Sequence, residues 1–334
     1  MSNVGESGII YRYFDTMSWS IMFEYSERWV HHLALWHKLH VRWPELRDKI
    51  RVDNVVEFIR KIDEGVIRVE DLEKVVYVDD SDVEEVKKIL ALGVKIIPII
   101  SPEYPQSLRS LEDKGIYPPL VIYCRGNLDF KKCIAIVGTR FCTNWGRSVT
   151  RELVRHISKE ISEASIVTGF ARGIDTEATE SALKYGLKVV GVLPWLMPVY
   201  PPENERLANE VVGRGGVILS ENLYKPSRSE EIRRQLFLRN RIISSLANVV
   251  IVVEARLHYV GAGKYRGGAM WQVEYALKRG KKVYILEPKY RAYKIGNIWV
   301  NYRKAFEVFV RHGAIPFNEE EIEELVKTIK NELS

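Results

Sequence analysis

Apolar and polar positions form repeating blocks through the middle of the chain. An apolar run at 133–137 ends at Gly138, an amphipathic stretch follows, and a second apolar run at 165–168 ends at Gly169. Further apolar runs lie at 187–193, 216–220, 248–254 and 282–286. Short apolar strands that alternate with amphipathic helices are typical of a parallel sheet covered on both faces. The pattern therefore predicts an α/β protein with a doubly wound, mostly parallel sheet.

The N-terminal region lacks this alternation and has apolar residues at helical spacing. Pro44 is placed to end one helix, and polar start signals at Asn54 and Ser81 predict two more. The sequence as a whole predicts a small helical domain at 1–95, a Rossmann-like domain at 96–316 and a C-terminal helix at 317–334.

Two loops that follow neighbouring strands carry glycine and arginine. They contain Gly138, Thr139 and Arg140 in the first loop, and Gly169, Arg172 and Gly173 in the second. Backbone N–H groups at a helix start, together with a guanidinium, suit a phosphate. The alternative is structural: a glycine turn is often only a geometric need, and Arg172 could pair with Asp175. Because parallel strands end at the same sheet edge, two such loops favour an anion site.

Charge is unevenly distributed along the chain. Between Lys225 and Lys304 there are 18 lysines and arginines against five acidic residues, whereas the whole chain has 50 against 44. Part of this surplus lies in a segment at 225–241, predicted to lead into a helix at 242–246. Another part lies in a predicted glycine-rich loop at 256–268 that contains Lys264 and Arg266. The asymmetry indicates a polyanionic partner, although a solvated charged surface would look similar.

Several functional classes are disfavoured. The dinucleotide pattern GxGxxG does not follow the first strand, and the phosphate-loop pattern GxxxxGK[ST] is missing. We therefore expect no cofactor, and the scattered histidines and cysteines give no reason to expect a metal. No apolar run approaches the roughly 20 residues that cross a bilayer, and the N-terminus has no secretion signal. Three cysteines without a CxxC fit a reduced compartment, so we expect a cytoplasmic protein with no membrane partner.

Ordered motifs in the predicted sheet region carry a resemblance. They read IVGTR, TGFARGID, VYPPEN, RNRIIS, VVEA and VEYALKRGKKVYIL, in this order. The series resembles the DNA-processing protein A (Smf) family from about Tyr104 to Leu286, and more weakly to the C-terminal helix. The resemblance implies an extended Rossmann fold that binds single-stranded DNA without catalysis. It also implies a homodimer that acts in DNA uptake and recombination by protecting single strands and loading a strand-exchange recombinase.

The resemblance also implies roles for individual residues. Arg140 corresponds to the family's DNA phosphate contact, and Arg172 is brought to the same pocket. The candidate DNA-binding residues are Gly138, Thr139, Arg140, Gly169, Arg172, Gly173, Asn204, Arg239, Arg241, Lys264 and Arg266. Asn204 is also placed to cap a helix. Phe141, Trp145 and Trp195 could stack on bases, although such aromatic residues are more often buried.

The alternative is a nucleotide-binding protein or an enzyme of a related fold. Gly267, Gly268 and Glu274 have a spacing similar to the PGGxGTxxE motif of nucleoside-monophosphate phosphoribohydrolases. However, Met270 and Trp271 replace the Gly-Thr pair that holds phosphate. Glu221 and Glu254 also lie near strand ends and are candidate acids or bases, but such residues are more often caps or ion-pair partners.

Overall fold

The computed structural model describes residues 27–111, 116–261, 264–295 and 297–333, with side chains left undescribed at 258–261, 264–266, 295, 298 and 299. The chain divides into two compact units between Gly93 and Val94. Among the described residues, no helix is long and apolar enough to cross a membrane.

The N-terminal unit is helical, as the spacing predicted. Its helices are α1 (Glu27–Val41), α2 (Trp43–Ile50), α3 (Val55–Asp63), α4 (Val69–Val75) and α5 (Asp80–Ala91). Leu33, Trp36 and Phe58 are fully buried in its core. Helix α1 ends at Val41, shortly before Pro44, as predicted, and Pro44 itself lies in the first turn of α2, where its missing N–H is not needed.

A nine-stranded sheet organises the second unit. Its strands are β1 (Lys95–Pro98), β2 (Val121–Gly126), β3 (Lys131–Val137), β4 (Ala164–Thr168), β5 (Lys188–Val192), β6 (Val217–Ser220), β7 (Val249–Val252), β10 (Val283–Leu286) and β13 (Ile315–Phe317). Their order is β1-β2-β6-β5-β4-β3-β7-β10-β13. From β6 to β13 all neighbours are parallel, and only β2 runs against them. The predicted doubly wound, mostly parallel sheet is confirmed.

Helices cover the sheet. They are α6 (Gln106–Arg109), α7 (Asn144–Glu160), α8 (Ile174–Lys184), α9 (Glu205–Gly213), α10 (Ser229–Leu246), α11 (Gly268–Lys278), α12 (Tyr302–Arg311) and α13 (Ile322–Glu332). Helix α7 packs on α8 and α13, whereas α10 packs on α11. The chain leaves β3 in one direction through β4, β5 and β6, and in the other through β7, β10 and β13. Because crossovers are right-handed, this change of direction at β3 places the helices that connect β3 to β6 on one face and those that connect β7 to β13 on the other.

Local chemistry explains where the helices begin. Strand β3 is buried from Cys133 to Val137, and α7 then starts at a side-chain cap, because Thr143 Oγ1 accepts from Gly146 N at 2.9 Å. Helix α8 starts after Gly173, which has φ +82°. The loops after β3 and β4 therefore both lie at the carboxyl edge of the sheet.

Two predictions about the basic half were wrong in detail. The helix predicted at 242–246 begins earlier, and the segment at 229–241 forms the first three turns of α10. These turns were missed because the first of them are charged and exposed, and buried residues begin only at Gln235. The predicted loop at 256–268 contains an antiparallel hairpin, β8 (His258–Gly261) and β9 (Lys264–Arg266). A second hairpin, β11 (Tyr293–Ile295) and β12 (Ile298–Val300), was also not predicted.

Candidate nucleic-acid interface

An open pocket lies at the carboxyl ends of β3, β4 and β5. Its lining residues are Arg140, Gly169, Ala171, Arg172, Pro194, Tyr200, Pro201, Leu236 and Arg239. Three guanidiniums thus come from the loop after β3, the loop after β4 and the middle of α10. The predicted convergence of Arg140 and Arg172 on one concavity is present in the structure.

The loop after β3 presents an exposed cation on a fixed backbone. Thr139 N donates to Glu254 O at 2.7 Å, and Thr139 Oγ1 accepts from Phe141 N at 3.1 Å. Thr139 is itself buried, so its hydroxyl stabilises the turn and does not face the pocket. Arg140 is exposed, and its guanidinium makes no salt bridge or hydrogen bond within the described residues. An anion can therefore approach Arg140 without displacing an internal partner.

The loop after β4 uses its backbone donors internally. Asp175 Oδ2 accepts from Gly169 N at 3.1 Å and from Ala171 N at 3.3 Å. Asp175 is buried, and the loss of solvation raises the pKa of its carboxyl group while the Arg239 charge acts in the opposite direction. The prediction that this loop offers its backbone N–H groups to a phosphate is therefore wrong for Gly169 and Ala171, because these two groups already donate to a carboxylate. The sequence alternative of an Arg172–Asp175 pair is not what forms.

Arg172 has a different partner. Its Nε donates to a Glu203 carboxylate oxygen, and both side chains are largely exposed. This hydrogen bond lowers the pKa of Glu203, so the carboxyl stays ionised beside the arginine. The pair is exposed to solvent and is therefore weak, which leaves Arg172 able to exchange Glu203 for another anion.

Arg239 lies under the second loop, with its side chain almost wholly buried. One terminal nitrogen donates to the carbonyl oxygens of Gly169 and Val192, the latter at 3.2 Å. A side chain at Gly169 would collide with this guanidinium, which explains the glycine. Burial lowers the pKa of Arg239 to about 10, a value at which it keeps its charge near neutral pH. Arg239 Nε has no hydrogen-bond partner among the described residues.

Arg241 and Asn204, both predicted for the site, are buried elsewhere and do not line the pocket. Arg241 is buried in a bidentate pair with Glu221, at 2.8 and 2.5 Å, and also donates to Tyr117 O at 3.1 Å. Successive residues of a helix are about 100° apart, so Arg241, two residues after Arg239, lies on the opposite side of α10 and points into the protein interior. Asn204 is buried too, and its Nδ2 donates to Phe170 O at 2.8 Å instead of capping α9. It fixes the second loop from behind.

The remaining predicted residues have varied positions. Gly138 and Gly173 hold the two loops against each other, since Ile174 N donates to Thr139 O at 3.4 Å. The side chains of Lys264 and Arg266 lie outside the described residues, so their DNA-binding role stays a prediction. Trp195 is buried, with Nε1 donating to Pro198 O at 2.9 Å, and cannot stack on a base.

The sequence analysis missed Glu203 as the partner of Arg172 and considered Asp175 only as a partner of Arg172. The contacts of Glu203 and Asp175 determine which hydrogen-bond donors of the second loop are free for a ligand. Both residues lie within motifs that were recognised, VYPPEN and TGFARGID. Their positions in those motifs gave no sign that one pairs with an arginine and the other with backbone amides.

The glutamates considered for an enzyme have other contacts. Glu221 is held by Arg241, and Glu254 accepts from Thr143 N and Oγ1, both at 2.8 Å. Burial raises the pKa of Glu254 despite these hydrogen bonds. Glu274 lies in the middle of α11 and does not line the pocket. The described residues also contain no group of three side chains suited to a metal ion.

A family model described as DNA recombination-mediator protein A matches residues 95–324. The chain belongs to this family. The resemblance drawn from the motifs is therefore confirmed, and the matched region includes every strand of the sheet and all residues of the pocket.

Individual relatives agree with the family match. The chain is 33% identical over 198 residues to DNA processing protein DprA of Bacillus subtilis, covering 58% of this chain and 60% of that protein. It is 30% identical to DprA of Streptococcus pneumoniae, over 55% of this chain and 59% of that protein. The chain thus spans about three-fifths of the length of these relatives. Both are named for DNA processing, and neither name states a catalysed reaction.

Two solved structures are similar in fold. One is DNA processing protein A from Helicobacter pylori, described in terms of its single-stranded DNA binding mode, with 26% identity and a TM-score of 0.56. The matched region covers 72% of this chain and 97% of the Helicobacter pylori chain. The other is DprA from Streptococcus pneumoniae, with 24% identity, a TM-score of 0.59 and coverage of 88% and 95%. The second likeness concerns the fold alone.

Proposed function

We propose that this family member binds single-stranded DNA in the pocket at the carboxyl ends of β3, β4 and β5. The observation that carries the proposal is the exposed Arg140 guanidinium, without an internal partner among the described residues, beside Arg172 in one concavity. The Helicobacter pylori relative, whose structure is described in terms of its single-stranded DNA binding mode, supports the same ligand for this chain. The protein acts in DNA recombination by holding exposed single strands.

The arrangement of charges suits a flexible phosphate backbone. Arg140 supplies an open contact, Arg172 supplies one that must leave Glu203, and Arg239 contributes a buried positive charge beneath both. The pocket has few polar groups that could read base identity, since Pro194, Pro201, Ala171 and Leu236 form much of its lining. Binding should therefore depend on phosphates more than on sequence.

The test compares single-stranded and double-stranded oligonucleotides of matched sequence across a salt series. We expect tighter binding of the single strand and an affinity that falls steeply with salt, because each neutralised phosphate releases counterions. Equal affinity for both forms, or affinity that is flat with salt, would contradict the proposal.

We further propose that the protein is a homodimer and that it delivers DNA to a strand-exchange recombinase. The family description as a recombination mediator supports the second point. Sedimentation of the protein alone tests the dimer. Recombinase filament formation on coated single strands, with and without this protein, tests delivery.

We propose no catalytic role. The phosphoribohydrolase alternative is not favoured, since Glu274 does not line the pocket, and Glu221 and Glu254 are held by internal partners. Incubation with nucleoside monophosphates, followed by assay for free base, checks this, and base release above the buffer rate would overturn it.

A further inference from the structure

A second group of aromatic and basic side chains lies at the same sheet edge, beyond the pocket. Phe141, Arg256 and Tyr290 each follow the last residue of a strand by four positions, after β3, β7 and β10 respectively. These strands are parallel neighbours, with Val137 opposite Val252, so the three positions fall along one edge. Trp145, in the first turn of α7, and Tyr293, at the start of β11, complete the group. We call these five residues the aromatic surface.

Ring contacts connect the members of the aromatic surface. The Arg256 guanidinium lies over the Phe141 ring, 5.2 Å from its centroid. Trp145 meets Tyr290 edge-on at 6.4 Å, and Tyr290 lies 5.2 Å from Tyr293 at an interplanar angle of 40°. None of the five is fully buried, and Tyr293 is 43% exposed. Each of the five side chains therefore keeps part of its surface open to solvent.

The aromatic surface is also positively charged. Arg256 has no carboxylate partner within the described residues. The segment at 289–294 reads KYRAYK, and its Lys289, Arg291 and Lys294 are all exposed. Glu319, which accepts from Trp145 Nε1 at 2.6 Å, marks the acidic outer limit beside β13. Aromatic residues interleaved with cations are the combination that single-stranded nucleic acids bind, with rings under bases and cations beside phosphates.

The aromatic surface is continuous with the pocket. Arg140 lines the pocket and the next residue, Phe141, carries Arg256 on its ring, so the two regions are about 3.8 Å apart along the backbone. The turn between them is fixed, because Tyr302 Oη donates to Phe141 O at 2.6 Å. A strand that leaves the pocket past Arg140 meets Phe141 and Arg256 next.

We infer that the aromatic surface is a second subsite, where bases of the single strand held in the pocket stack as the strand continues along the sheet edge. This extension rests on the proposed function. It predicts that the footprint is longer than the pocket and that the extra length depends on Arg256, Tyr290 and Tyr293. Stacking does not distinguish bases strongly, so the subsite adds affinity without adding sequence preference.

The test uses two oligothymidylates, one of about 4 and one of about 16 nucleotides, which span the site sizes usual for such grooves. For wild-type protein we expect clearly tighter binding of the longer one. Tyr293→Ala and Arg256→Ala should each weaken binding of the longer oligonucleotide about fivefold or more and leave the shorter one unchanged. Arg140→Ala should weaken both.

Tyr185→Ala is the matched control. Tyr185 also carries a cation over its ring, Lys184 at 5.6 Å, but follows α8 at the opposite edge of the sheet. The Tyr185→Ala variant should bind both oligonucleotides with the affinity of the wild-type protein. Unchanged binding of the longer oligonucleotide by both variants, or equal weakening at both lengths, would overturn the second subsite while leaving the pocket intact. Wild-type protein that binds neither oligonucleotide would instead contradict the proposed function itself.

Discussion

The loop after β3 and the loop after β4 have the same residue types but use them differently. In the first, Arg140 extends into the pocket with no internal salt bridge among the described residues. In the second, Asp175 accepts from two backbone N–H groups and Arg239 donates to the Gly169 carbonyl. Arg172 in this loop is paired with Glu203. The first loop is therefore open to an anion, whereas the second has already satisfied most of its polar groups. Glycine and arginine alone do not tell the two states apart.

The largest difference should appear in stability. Arg239→Met removes the donor to the Gly169 and Val192 carbonyls and the charge nearest the buried Asp175, which should cost about 1–3 kcal/mol of unfolding free energy. Arg140→Met, in the first loop, should change stability by no more than about 0.5 kcal/mol. Urea unfolding of both variants measures this. Equal losses would mean that the loops do not differ in internal use of arginine.

The order should reverse for DNA affinity. Arg140→Ala should weaken binding of a single strand about 10- to 100-fold, since it removes an open charge-assisted contact to phosphate. Lys159→Ala is the control, because it removes one exposed charge from the last turn of α7, at the far edge of the sheet. Fluorescence anisotropy with a labelled oligonucleotide measures both. An Arg140→Ala variant that binds as tightly as Lys159→Ala would remove Arg140 from the site.

A smaller effect should come from releasing Arg172. Glu203→Gln removes the carboxylate that competes for its guanidinium, so affinity for the single strand should rise about two- to fivefold. The control is Glu210→Gln, which breaks the Arg214–Glu210 pair, of similar exposure, on α9. A loss of affinity in Glu203→Gln would indicate that Glu203 positions Arg172 for the ligand instead of competing with it.

The smallest effect should be that of alkaline pH. The pKa of Arg239 is lowered by burial to about 10, so its charge is kept below that value and lost only as the pH rises through it. Affinity should therefore be nearly constant between about pH 7 and 9 and fall above about 10. Below about pH 9 the guanidinium is protonated in both the folded and the unfolded protein, so Arg239 does not make the free energy of unfolding depend on pH in that range.

Acid should act in the opposite direction. Burial raises the pKa of Asp175, so proton uptake on acidification removes a carboxylate close to Arg239 and should strengthen binding. Asp175→Asn should abolish this rise. An acid-induced rise that persists in Asp175→Asn would assign it to another carboxyl, such as Glu203.

The family, the fold class and the sheet edge that bears the pocket were all predictable from the sequence. Apolar runs that alternate with amphipathic stretches require a covered parallel sheet, and the ends of parallel strands must meet at one edge. Arg140 and Arg172 follow from this argument, because each comes a few residues after its strand. This reasoning is local and needs only periodicity and chain direction.

Which polar groups face each other was decided by the tertiary structure alone. Arg239 and Arg241 are two residues apart in one motif, yet one lies under the pocket and the other pairs with Glu221 in the interior. The start of α10 was missed because its first turns are charged and exposed, and apolar periodicity reports only on buried faces. The partners of Arg172 and Asp175 come from other loops or from the backbone. A linear sequence gives each donor and acceptor but not its distance to the others, and that distance determines whether a charge is satisfied within the protein or left for a ligand.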